Sequence, residues 1–182
     1  MERPLDVLLR TDRTLGSVIE SILGAPPSLE VVSQSRLTGP LPDAVVPLGR
    51  GSGILARRTR YRSHGMVLTR NVAFVATARI DPDMASRLEA GALHLGQVFS
   101  AGPFAPLDLR FGTDRDAGDV DVLLRLGFPA DATAMRPYVW RRYLAGDPAN
   151  PAFLVIESLP VRTWELLLGS SASSGAIEDA AG

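Results

Sequence analysis

Lysine and cysteine are both missing from this sequence, and each absence removes whole classes of chemistry. Without lysine there is no Schiff-base catalysis and no phosphate-loop lysine, and all 19 side chains counted as Lys+Arg are arginines. Without cysteine there is no thiol nucleophile, no disulfide framework and no thiolate metal site, which fits a reducing compartment. Net charge is also scarce. At -1 for 182 residues, no bulk attraction draws the chain to nucleic acid or to an anionic membrane, and neither is an expected partner. Long apolar runs are lacking too: the stretch after Met1-Glu2-Arg3-Pro4 is too short and wrongly flanked for a signal peptide or a membrane span, so a cytoplasmic protein is expected. Histidine occurs only as His64 and His94, which the pattern keeps apart and which no carboxylate spacing completes into a ligand set, so no metal is expected. No Gly-x-Ser-x-Gly elbow occurs, and Gly51-Ser52-Gly53 lacks the strand-turn-helix context that a serine nucleophile needs.

What is present is a hydrophobic fraction of 46%, enough to bury one core. The expectation is a single domain over residues 1–168, followed by a Ser-, Ala- and Gly-rich flexible tail over 169–182. Leu15, Val18, Ile19, Ile22 and Leu23 recur at helical spacing, with Asp12 or Thr14 as N-cap and Gly24 as the stop. Pro26-Pro27 breaks the chain before a Val-rich strand over Leu29 to Ser33, and a long Gly- and Pro-punctuated loop then runs through Gly53. Ala56 to Ser63 and Val72 to Ile80 form a hairpin about a turn near His64-Gly65. Asp81-Pro82 matches an N-cap followed by proline at the first helical position, with Met84 and Leu88 turned inward. Leu93 to Phe99 is an apolar turn or short helix interrupted by Gly96. A second hairpin pairs Tyr138 to Leu144 with Ala152 to Leu159 across Gly146-Asp147-Pro148. The fold class that results is α+β: a mostly antiparallel sheet with flanking short helices, enclosing a small-molecule pocket.

Few side chains carry a chemical reading. Glu157 stands in Phe153-Leu154-Val155-Ile156-Glu157-Ser158-Leu159-Pro160, a strand otherwise apolar on both faces. A carboxylate buried there needs a cation or a polar ligand to meet it, or its pKa must rise. A pocket satisfies this; so does a structural ion pair with Arg141 or Arg142 on the adjoining strand, or an early strand end that leaves Glu157 wet. Arg60 is the second candidate, because a guanidinium on a hairpin strand offers a planar fork for a carboxylate. By the two-residue period Arg58, Arg60 and Arg62 share one strand face, and Thr59, Tyr61 and Ser63 the other. An exposed basic face is the competing reading, and Arg70 is the fallback if the turn is shorter. The aspartates between Asp114 and Asp121 lack the glycine position and terminal glutamate of a calcium loop and read as a solvated loop.

Three stretches resemble a known family: Leu8-Leu9-Arg10-Thr11-Asp12-Arg13-Thr14-Leu15, in which a Leu-rich strand or turn enters the first helix; Leu95-Gly96-Gln97-Val98-Phe99; and Arg141-Arg142-Tyr143-Leu144 followed by Pro151 to Pro160. In this order they resemble the chorismate pyruvate-lyase family, whose fold is similar to the ligand-binding domains of certain bacterial repressors. The resemblance implies a cofactor-independent carbon-oxygen lyase that converts chorismate to 4-hydroxybenzoate and pyruvate. Glu157 would act at the ether oxygen, Arg60 would hold the carboxylate of the ring substrate, and Leu15, Leu95 and Gly96 would close over the ring. The segment from Ala101 to Pro137 departs from the family as a long, charged insertion. Two alternatives use the same pocket: an enzyme recruited to natural-product biosynthesis, such as a cyclase, and a non-catalytic small-ligand-binding module. The oligomeric state is not read from the sequence.

Overall fold

The computed structural model describes residues 4–38, 40–49, 53–100, 106–127 and 136–174. Six strands form one antiparallel sheet: β1 (Ser28–Arg36), β2 (Ile54–Ser63), β3 (Met66–Ala76), β4 (Leu107–Thr113), β5 (Tyr138–Asp147) and β6 (Asn150–Pro160), in the spatial order β1-β2-β3-β6-β5-β4. Two hairpins, β2-β3 and β5-β6, meet along β3 and β6 at its centre. The α+β antiparallel class expected from the sequence is the class observed.

Local chemistry explains the elements. His64 and Gly65 both adopt positive φ, 47° and 79°, the backbone that a two-residue hairpin turn demands. β3 therefore starts at Met66, six residues before the expected run, and the chain leaves it through a short 3-10 turn at Thr77–Arg79. Helix α1 spans Pro4–Arg10, α2 Leu15–Leu23 and α3 Pro82–Glu89. Gly24 ends α2 in the left-handed region, and its N–H donates to the Glu20 carbonyl. Asp81 caps α3 by accepting from the N–H groups of Asp83 and Met84 at 2.9 and 3.1 Å. The apolar turn near Gly96 is helix α4 (Leu95–Ser100).

Three sequence expectations are corrected here. The Leu-rich opening is helix α1, not a strand or turn, and it buries Leu8 and Leu9 against α2 and the last helix, α6 (Val161–Ser174). The stretch from Ala101 to Pro137 is no mere insertion: it supplies edge strand β4 and helix α5 (Asp119–Gly127), although residues 101–105 and 128–135 lie outside the described residues. Its aspartates are spent on structure. Asp116 accepts from the Thr113 N–H and hydroxyl, Asp119 pairs with Arg142, and Asp121 accepts from the Tyr138 hydroxyl. Finally, α6 continues past Gly169, where the tail was expected to begin; residues 175–182 of that tail, like Gly51 and Ser52 of the long loop, lie outside the described residues.

β3 from Leu68 and β6 from Pro151 are buried at every position, so both faces of the sheet are covered. On one face α5 and the 3-10 helix Asp43–Leu48 bring Val45, Leu48, Val120, Leu123 and Leu124 onto Val72, Phe74, Leu154 and Ile156. On the other, α3 and α4 pack on Ala73, Val75, Phe153 and Val155 at one end. At the far end α1, α2 and α6 pack on Leu68 and Leu159, and the Trp164 indole N–H donates to the Leu68 carbonyl at 2.9 Å. The space between these two groups of helices lies over the middle of the sheet. No helix among the described residues is long and apolar enough to cross a membrane.

Leu154 is fully buried at the sheet centre whereas Leu166 on α6 is exposed. Urea unfolding is expected to show Leu154→Ala losing about 2–5 kcal/mol and Leu166→Ala changing stability by no more than about 0.5 kcal/mol.

Candidate functional site

Alternation along the central strands decides which side chains meet that space. The inward face carries Arg57, Thr59 and Tyr61 of β2, Asn71 and Ala73 of β3, Val155 and Glu157 of β6, and Tyr143 of β5. The strand register arranges them in two parallel rows. One runs Thr59, Asn71, Glu157, Arg141, and the other Arg57, Ala73, Val155, Tyr143. Cross-strand neighbours of this kind stand about 5 Å apart at Cβ. Thr14 and Leu15 at the start of α2, Leu29 of β1, and Leu95, Gly96 and Phe99 of α4 close the cavity from above. Phe99 is held edge-on against Phe153, with ring centroids 5.2 Å apart. The enclosed volume is about 40 Å³, room for water molecules rather than for a ring, since cavities that hold small ligands run to about 300 Å³ and more.

Glu157 has the cation that its burial requires. Its Oε2 accepts from Arg141 Nε, in an ion pair whose side chains are 8% and 1% exposed. Burial is the largest influence on the Arg141 guanidinium and lowers its pKa, but the Glu157 charge, the Tyr143 phenol and the hydrogen bonds to both together outweigh it, and the net shift is upward. The other nitrogens of Arg141 donate to the carbonyls of Thr11 at 3.1 Å and Arg13 at 3.3 Å, tying the α1–α2 connection to the sheet. Burial, reinforced by the Glu157 charge, pushes the Tyr61 phenol up to about 12, and burial drives Tyr143 well above its ordinary value. Both phenols therefore stay protonated at neutral pH. Tyr61 sits under α2 where residue 16 is glycine, and a Cβ there would meet the Tyr61 hydroxyl at 2.6 Å.

Arg57 is different in kind. It is 1% exposed, and no carboxylate among the described residues pairs with it. Its NH1 donates to the Leu93 carbonyl at 2.7 Å, its NH2 lies 3.5 Å from His94 Nδ1, and its Nε is buried without a hydrogen-bond partner. Burial lowers its pKa, yet a guanidinium remains a cation at any ordinary pH. Burial and then the Arg57 charge lower the pKa of His94, which keeps that imidazole neutral at pH 7.

Of the residues singled out in the sequence, Glu157, Leu15, Leu95 and Gly96 come together on this cavity. Arg60 does not. It lies on the opposite strand face and binds Glu30 of β1 through two hydrogen bonds of 2.7 Å, and its guanidinium holds the Glu30 carboxyl below the usual range. Arg70, opposite Arg60 in the register, is likewise not on the cavity. His64 is a turn residue near the Ser63 hydroxyl. The arginine that the cavity holds is Arg57, which lies within the strand expected over Ala56 to Ser63 but on the face opposite to Arg58, Arg60 and Arg62. The available signal was the opposite charge of Glu30 in β1, which pairs across the sheet with Arg60 and leaves the Arg57-Thr59-Tyr61 face turned the other way.

No protein-family model and no curated protein matches the sequence. Solved structures do match in fold. PhnF from Mycobacterium smegmatis superposes with a TM-score of 0.51 at 15% identity, over 78% of this chain and 61% of that one. The ligand-binding domain of a protein from Bordetella bronchiseptica, described as a GntR-family transcriptional regulator, gives 0.48 at 12% identity over 73% and 85%. A protein from Streptomyces coelicolor described as a transcriptional regulator gives 0.46 at 14% identity over 73% and 85%. The chain thus spans about three-fifths of PhnF. The likeness to PhnF is one of fold. The expectation of a carbon-oxygen lyase, with a recruited cyclase as runner-up, is corrected by the geometry of the site. The carboxylate that was to serve as acid is held as the partner of Arg141, and the arginine that was to hold a substrate faces away from it.

The ion pair makes a measurable prediction. Glu157→Gln strands a buried guanidinium, and urea unfolding is expected to show a loss of about 3–5 kcal/mol. Adding Arg141→Met should cost less than the sum of the two single changes, with a coupling of about 1 kcal/mol or more in the double-mutant cycle; strict additivity would mean that the pair is not intact in solution.

Proposed function

We propose that this chain is a non-catalytic module that binds a small organic anion over the centre of its sheet, with Arg57 as the anchor. The observation that carries this reading is a buried guanidinium that faces a cavity and has, among the described residues, neither a counter-charge nor a partner for its Nε. Burying a lone cation costs several kcal/mol, and a folded chain that keeps one leaves a site for an anion to fill. Arg57 presents a fork suited to a carboxylate, and the phenols of Tyr61 and Tyr143 beside it are protonated. Among the described residues the one carboxylate on the cavity floor is already neutralised by Arg141, and no other carboxylate there is placed to abstract or deliver a proton. Binding rather than turnover is what this inventory supports. The description of the Bordetella bronchiseptica chain as a ligand-binding domain is of the same kind, but the reading rests on the cavity itself.

The volume also bears on how such a module would signal. A ring acid does not fit in about 40 Å³, so its entry requires α4 or the start of α2 to move outward. Arg57 is bonded to the Leu93 carbonyl and lies beside His94, the two residues that lead into α4. An anion drawing on Arg57 therefore acts on the same segment that must yield. A ligand shifts such an equilibrium only by its differential affinity for the open arrangement, and here the contact and the movement share one arginine. A cytoplasmic location belongs to this reading as an expectation.

Isothermal titration and thermal unfolding with acetate, butyrate, benzoate and inorganic phosphate provide the test. Saturable binding of at least one anion is expected, with a stabilisation of about 2.7 kcal/mol when the ligand is at one hundred times its dissociation constant, and the ligand should be recovered chemically unchanged. Arg57→Met, checked for folding by circular dichroism, should abolish the binding. Anion binding that survives Arg57→Met, or conversion of the ligand, would overturn the reading.

A further inference from the structure

One side chain next to Arg57 has an open acceptor, and it defines what else the ligand must carry. Asn71 is 7% exposed, lines the cavity, and stands in the row between Thr59 and Glu157. Its Nδ2 donates to the Thr59 hydroxyl at 3.4 Å, while its Oδ1 is buried with no partner among the described residues. The next residue in that row, Glu157, is an acceptor that spends Oε2 on Arg141. The cavity floor thus sets one uncompensated donor fork, Arg57, diagonally across two strands from a patch whose spare capacity is for accepting. Diagonal neighbours of this kind are roughly 7–8 Å apart, a separation that one small molecule can bridge.

Charge counting narrows the chemistry. Arg57 and Arg141 contribute two positive charges and Glu157 one negative, so a ligand with a single net negative charge brings the floor to neutrality. A zwitterion would leave it positive, and a dianion would leave it negative; either imbalance is costly among buried groups. We infer that the ligand is a monoanionic acid bearing a neutral hydrogen-bond donor, a hydroxyl above all, with its carboxylate on Arg57 and its O–H donating to Asn71 Oδ1. This deepens the anion-site reading and rests on it. A plain acid of the same size would satisfy Arg57 but leave the Asn71 carbonyl buried and unpaired, and a site built to hydrogen-bond a hydroxyl discriminates strongly against the analogue that lacks it. Thr59, which receives the Asn71 amide, is a positioning residue in this scheme.

Matched acids titrated into the full chain test it. The parent acids are acetate, butyrate and benzoate; their hydroxy partners are glycolate, 3-hydroxybutyrate and 3-hydroxybenzoate; methoxyacetate, 3-methoxybutyrate and 3-methoxybenzoate can only accept at the same position; glycine and 3-aminobutyrate are the zwitterions. In at least one set the hydroxy acid is expected to bind about 10-fold or more tightly than both its parent and its methyl ether, and more tightly than the zwitterion. Asn71→Leu should bring hydroxy and parent acids to the same affinity while leaving the parent acid's own binding in place. Arg57-dependent binding in which hydroxy acids gain nothing, or in which the ether or the zwitterion is preferred, overturns this inference and leaves the anion site standing. If none of these acids binds, both fall. The comparison among acids on the unaltered chain decides the matter even if Asn71→Leu fails to fold.

Discussion

The pairing of Arg141 with Glu157 is the constraint around which the site is organised. Both lie on strands covered on each face, where an isolated charge is not tolerated, and together they hold β5 to β6 in the register that fixes every side chain on the cavity floor. Through its remaining nitrogens Arg141 also holds the carbonyls of Thr11 and Arg13, and so places the start of α2, whose Thr14 and Leu15 form part of the cavity roof. One ion pair therefore aligns the floor and hangs the lid. Its worth is specific geometry more than net stability, since a buried pair roughly repays its own desolvation.

Against that background the neighbouring Arg57 stands out. The same physical rule that gives Glu157 its partner leaves Arg57 without one, although it is equally buried and only one row away. The proposed anchoring role of Arg57 rests on this contrast between a neutralised pair and a cation that faces an internal space. The reading from family resemblance made Glu157 the reactive group, gave the carboxylate to Arg60 and assigned Arg57 no role. Resemblance pointed to Glu157, Leu15, Leu95 and Gly96, which line one cavity, but roles belong to sites and not to folds.

The small size of the cavity completes the account. Leu95, Gly96 and Phe99 on the short helix α4, and Thr14 and Leu15 on α2, rest on a floor with unsatisfied polar atoms beneath them. Short helices joined by loops are the elements most easily displaced in a domain of this kind, whereas the floor is six strands deep in hydrogen bonds. Proposed ligand binding thus pairs a rigid polar floor with an apolar roof that can be displaced.

Much was legible from residue order alone. Helical spacing with Gly24 as the stop gave α2, Asp81-Pro82 gave the start of α3, two turns gave two hairpins, and a carboxylate set in an apolar strand marked Glu157 as a residue that must meet a cation or a ligand. These follow from short-range rules: periodicity, capping, turn backbone and the cost of burying charge. Which arginine faces inward did not follow. Arg57 and Arg58 are adjacent, and the pleat sends them to opposite faces, so the answer depends on which face of β2 the helices cover, a matter of long-range packing. Nor could the pattern show that a charged stretch near Asp119 would close the edge and one face of the sheet, because β4 and α5 are held by partners far away in the chain. Local sequence determined the elements and the presence of a buried charge; only the register of six strands decided which charges cancel and which one faces the cavity without a carboxylate among the described residues.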